Sequence, residues 1–162
     1  CERQDMSSDQ QRGKDLISMW FDPTEVDQAT RQRLWRFINT EMNQILDGFY
    51  GIIQQSSSRH MIDGLDIGHL KQKQAEHWQK LFLHPVDEDY ETRLKIIHAR
   101  HMKIGLNEGE YVAAYFYLMT LFQKAILKHS SGPKEAFEMI ASMNNIFIDD
   151  LTRVLSTEVE MI

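Results

Sequence analysis

The chain is short of most groups that build other chemistries, and each shortage excludes something. Its single cysteine, Cys1, can neither close an internal disulfide nor supply the thiolates of a zinc site. No glycine-rich phosphate loop occurs, and no serine or cysteine stands in a recognisable nucleophile setting, so an enzyme acting alone is not expected. Lys and Arg total 18 against 24 Asp and Glu, a formal charge of -6 that argues against DNA or RNA as a partner. No apolar run approaches the ~20 residues of a membrane span, and no signal sequence is visible. A cytoplasmic location without membrane insertion is therefore expected. Strand-like alternation is almost missing, and only three prolines and eight glycines interrupt the chain.

What is present is helical periodicity. Between those punctuation marks apolar residues recur at spacings of three and four, which predicts an all-α fold without strands. A chain of 162 residues can bury roughly 70% of its unfolded surface, enough for one domain with an internal cavity. The reading is a single domain over 1–162, with an extra helix over about residues 8–20 and a core over about 24–160. A helix start near Thr24 or a neighbour leads through Leu34 and Ile38 to Phe49 and Ile53, as two helices meeting near Asn39 and Thr40. Asp66 begins the next helix, which stops at Pro85; Asp87 caps another that ends at Gly105. A very apolar helix follows from about Glu110 to Lys128 and belongs in the middle of the fold. Gly132-Pro133 opens the last one. That helix runs to Ile162 without a capping glycine, as expected of a module cut from a longer protein. Opening on Cys1 rather than methionine is open to three readings: a tag remnant, a trimmed end, or an acylated first residue, the last without a signal sequence to support it.

The most informative segment is His98-Ala-Arg-His101-Met-Lys-Ile-Gly105. It puts a histidine at the end of an amphipathic helix, with Ile97 one turn before and Ile104 one turn after on the same face. An imidazole framed by aliphatic groups suits the protein ligand of a haem iron. The plainer alternative is a core or capping histidine at a helix C-terminus, where its charged form meets the helix dipole favourably. His98, three residues upstream, competes for either role. A di-iron site would need several histidine and carboxylate pairs on four helices, and that pattern is missing. The nine methionines fit helix packing.

His101-Met-Lys-Ile-Gly-Leu followed by Tyr111-Val-Ala-Ala-Tyr115 resembles the proximal-histidine signature of the globin-coupled sensors, the bacterial globins that head signalling proteins. The resemblance covers roughly Leu34 to Leu121. It implies a globin fold, haem b held through its iron by His101, and O2, with CO or NO as alternatives, as the ligand. Asp47-Gly-Phe49-Tyr50 looks like the family's distal tyrosine motif. Tyr50 would then donate a hydrogen bond to the gas, with Phe49 as a wall, unless it is a half-buried aromatic with its hydroxyl at the rim. Leu70 matches the leucine over the iron, and Trp78 and Phe82 on the same helix count among the residues against the haem. At Lys73 this chain departs from the family's threonine or serine. That lysine either reaches a haem propionate or approaches the iron, and His69 is the other candidate for a distal ligand; His77 is expected at the surface or the porphyrin edge. Tyr111 either couples the proximal side to the last two helices or simply packs.

The resemblance also implies a homodimer through the last two helices, and a signal leaving through the C-terminus to an output module. The apolar side of Ile140, Met143, Phe147 and Leu151 is expected to face either that partner or its own core. Two alternatives belong to other classes: a haem-free, globin-like interaction domain of stress signalling, and a globin that processes O2 or NO.

Overall fold

The computed structural model describes residues 2–156, and among these it contains helices and turns only. Six α-helices follow one another: α1 (Glu2–Trp20), α2 (Gln28–Gln55), α3 (Ile67–Leu83), α4 (Glu88–Lys103), α5 (Glu108–His129) and α6 (Pro133–Leu155). Short polar side chains set their starts. Asp27, Asp66, Asp87 and Asn107 each accept from the amide three residues on, at 2.7, 3.2, 2.8 and 2.8 Å. Each such cap is worth about 1 kcal/mol. Beyond α4, Gly105 takes φ +82°, a conformation in which any side chain would be strained.

Helix α2 does not divide near Asn39 and Thr40; it is one helix of 28 residues. The Thr40 hydroxyl donates back to the Arg36 carbonyl at 2.8 Å, so its polar group is satisfied inside the helix. Leu34, Ile38, Met42, Ile45 and Phe49 form an unbroken buried stripe across the expected joint. The apolar side of α6 is also settled. Met143 and Phe147 are fully buried, Leu151 nearly so, and Ile140 packs against the same core, so these four face inward rather than towards a partner. Phe116 and Leu127 on α5 and Phe137 on α6 are the large apolar residues those two helices leave most exposed within the described chain. The extra helix begins earlier than expected, at Glu2, and lies against α6. Residues 157–160 of the expected core lie outside the described residues.

The aromatic core lies where α3 and α5 meet α2 and α6. Phe82, Phe122 and Phe147 are completely buried, and Trp78 stacks on Phe147 at 5.1 Å and meets Phe122 edge-on at 5.5 Å. Full burial of each phenylalanine contributes up to about 3 kcal/mol. Among the described residues three charged side chains are buried: Arg31, Asp149, which accepts from Arg153 at 2.8 Å, and Asp150. The Arg31 guanidinium donates to the carbonyls of Val26 (3.1 Å) and of Phe82 at the end of α3 (3.1 Å), and to that of Pro23 (2.7 Å), which also accepts from the Val26 amide. The Asp150 carboxylate on α6 receives the hydroxyls of Tyr90 from α4 and of Tyr115 from α5, the latter at 2.7 Å. Burial, then the nearby Asp150 charge, pushes both phenols' pKa values up, so they stay protonated donors.

Candidate functional site

Helices α2 to α5 do not close fully on one another. Between them lies a cavity of about 540 Å³, well within the size range of small-molecule sites. The spacing along each helix explains who lines it. Leu70, Lys73, Gln74, His77 and Trp78 share one face of α3, and Ile97, Arg100, His101 and Ile104 share one face of α4. Phe49 and Tyr50 come from α2, and Tyr111 and Tyr115 from α5.

Two imidazoles border this cavity, and each has a buried Nδ1 without a hydrogen-bond partner. Burial lowers the pKa of His101; the Ile97 carbonyl opposes this, though no hydrogen bond of normal geometry joins it to Nδ1. Burial likewise lowers that of His77, against the pull of the Asp150 charge. Both rings are thus held towards the neutral form, the form in which an imidazole binds a metal. The His101 ring lies edge-on to Tyr111 at 5.3 Å, and His77 lies edge-on to Trp78 at 4.7 Å. Among the described residues no three His, Cys, Asp or Glu side chains come together as a metal cluster. Lone imidazoles suit a metal whose other ligands come from an organic ring.

Opposite α4, Tyr50 is buried with its hydroxyl accepting from Gln74 Nε2 at 2.9 Å, and Gln74 Oε1 accepts from the Trp78 indole at 3.0 Å. Burial raises the phenol's pKa, so the proton stays on oxygen. The charged side chains around the cavity are all cationic: Lys73, Arg100 and Lys103 line it, and no carboxylate does. An apolar slot with a positive mouth fits an amphipathic dianion whose carboxylates reach solvent.

The structure brings Phe49, Tyr50, Leu70, Lys73, Trp78, Ile97, His101, Ile104 and Tyr111 together around this one cavity. Three candidates fall elsewhere. Phe82 is in the closed core against Trp35, Phe122 and Phe147, because it sits one turn beyond the end of the cavity on α3. His69 is exposed and absent from the lining, since it is rotated off the face carrying Leu70 and Gln74. His98 donates from Nδ1 to the Val154 carbonyl at 2.9 Å, which ties α4 to α6 and turns the ring away from the cavity, whose lining it does not join. The Lys73 ammonium stands 3.8 Å from Glu76 at the exposed rim, not in the interior. His77, expected at the surface or the porphyrin edge, lines the cavity with its Nδ1 buried, and Gln74, Arg100 and Lys103 were missed as site residues. The four-residue spacing of Gln74 and Trp78, and of Leu70, Gln74 and Trp78 along one face, was the available signal.

Helices wrapped around an apolar slot, with a neutral imidazole on one wall and cations at its mouth, define the class of the globins. The family follows from the sequence: the chain matches Protoglobin over residues 11–160 and belongs to that family. Its fold is also that of the globin domain of the Geobacter sulfurreducens globin-coupled sensor, with a TM-score of 0.73 at 20% identity, over 87% of this chain and 94% of that one. No curated protein matches the sequence. A globin family implies haem, and the unpartnered imidazoles, the apolar walls and the cationic, carboxylate-free mouth fit that group.

Proposed function

We propose that this chain is a haem-based sensor domain for a diatomic gas, most of all O2, with CO and NO competing for the same place. The observation that carries the reading is the His101 imidazole, buried, held neutral and unpartnered at Nδ1 on the wall of an apolar cavity with a cationic mouth. His101 would hold the haem, and Arg100, Lys103 and Lys73 would meet its propionates. Haem b supplies a ferrous iron able to take a gas ligand. Tyr50 offers a hydroxyl proton on the other side of the cavity, a donor that favours a ligand carrying negative charge over CO.

Transmission has a material route. Tyr115 borders the cavity and hydrogen-bonds Asp150, so displacement of the α5 wall acts directly on α6. From α6 the signal would pass to an output module in a cytoplasmic protein, with the domain itself catalysing nothing. The homodimer belongs to this reading too, through the exposed Phe116, Leu127 and Phe137 rather than the inward-facing side of α6. A haem-free interaction domain finds less support, because such a domain has no use for a cavity with spare imidazoles.

The test is the visible absorption spectrum of the purified protein, ferric and dithionite-reduced, with and without O2 or CO. A Soret band that shifts with gas supports the proposal. The absence of any Soret band after haem reconstitution overturns it in favour of the haem-free domain.

A further inference from the structure

The hydrogen bonds around Tyr50 have a direction, and that direction is fixed from outside the pair. An indole nitrogen only donates, so the group facing Trp78 Nε1 at 3.0 Å must be the Gln74 amide oxygen. The amide orientation is thereby locked, and its NH2 must face Tyr50 Oη at 2.9 Å. The reverse amide orientation would set two donors against each other. Tyr50 is therefore an acceptor towards α3, and its own proton has no protein acceptor among the described residues. Tyr50 and Gln74 both line the cavity, and with its acceptor side filled from Gln74 the phenol has its proton left for what enters there.

We propose that Gln74 is a positioning residue for gas selectivity. Through the Trp78, Gln74, Tyr50 chain it fills the phenol's acceptor side and reserves the phenol proton for a ligand in the cavity that bears negative charge. This rests on the haem-sensor reading for what the ligand is, but the hydrogen-bond polarity is a property of the chain alone. Trp78 acts at one remove: its indole N–H is engaged by Gln74 and sets the sign of the whole chain. Leucine at residue 74 would free the hydroxyl to rotate. Glutamate there has almost the same shape but opposite polarity, because its two oxygens accept from Trp78 and from Tyr50 together. It would draw the phenol proton out of the cavity.

The experiment compares Gln74→Glu, Gln74→Leu, Tyr50→Phe and the Gln74→Glu, Tyr50→Phe double variant, first without haem and then loaded. In the haem-free protein, the Trp78 indole N–H resonance in a 15N spectrum should move downfield in Gln74→Glu and upfield in Gln74→Leu. In the loaded protein, Gln74→Glu should speed O2 dissociation about tenfold, the scale of one lost hydrogen bond, with CO dissociation changed by less than about twofold. The double variant should match Tyr50→Phe alone, because both substitutions remove the same donor. An unmoved indole resonance overturns the relay whether or not haem binds. Additive effects in the double variant, or O2 dissociation unchanged in Gln74→Glu, overturn the assignment to Gln74 and leave the sensor reading standing. Failure of the parent protein to take up haem overturns the sensor reading, and the indole shifts then judge the relay by themselves.

Discussion

The closed core and the cavity of this bundle treat their buried polar groups differently. In the closed core the buried charges are answered: Arg31 on α2 meets three carbonyls and Asp150 on α6 receives two phenols, although the buried Asn144 Oδ1 on α6 has no partner. Around the cavity between α3 and α4, among the described residues, the Nδ1 atoms of His77 and His101 have no partner and the Tyr50 proton has no protein acceptor. An unsatisfied buried group costs about 1–3 kcal/mol. The closed core is thus built for stability, and the cavity gives some of it up in favour of a ligand.

The contrast can be broken by substitution. The largest effect falls on the cavity: His101→Ala should abolish stable haem uptake in a Soret titration, whereas His98→Ala should leave it intact. A normal haem spectrum in His101→Ala would move the ligand role to His77. Next, Phe147→Ala in the closed core should cost about 3–5 kcal/mol by urea denaturation, because it opens a void among rings already in contact. Arg31→Met should cost about 2–3 kcal/mol, since it leaves several carbonyls at once without a donor.

The smallest effect is a pH dependence. Burial depresses the folded-state pKa values of His77 and His101 below the ordinary 6.5. As the pH falls through 6.5 the unfolded chain takes up protons that the folded chain resists, so the haem-free protein should lose stability, levelling off below the depressed values. Thermal melts from pH 7.5 to 5 would check this. A His77→Gln, His101→Leu double variant should flatten that part of the curve, and an unchanged slope would mean that neither ring is held neutral.

Helix boundaries were readable because they depend on single residues and local geometry. Asp66, Asp87, Asn107 and Gly105 act where the sequence puts them. The place of His101 beside the cavity was readable for a related reason, as its framing residues Ile97 and Ile104 lie within one turn. Side-chain direction one position off the face was harder. Adjacent helical residues differ by about 100° in direction, which separates exposed His69 from the cavity-lining Leu70. The depth of His77 and the partner of Gln74 were illegible, since both depend on how far apart α2, α3 and α4 stand. Tyr50 and Gln74 are 24 positions apart in the chain. Periodicity also gave α6 an apolar side but not its destination, which only the neighbouring α5 decides.

The cationic mouth has a kinetic consequence. With a formal charge of -6 the molecule as a whole repels an anionic cofactor, yet Lys73, Arg100 and Lys103 present a local field of the opposite sign at the entrance. At physiological salt such fields reach only about 8 Å, so a negatively charged cofactor is repelled by little at a distance and drawn in only once it is close. Capture would then be orientation-selective, with the acid groups trailing outward, and the rate of loading should fall as salt rises even if the final occupancy does not.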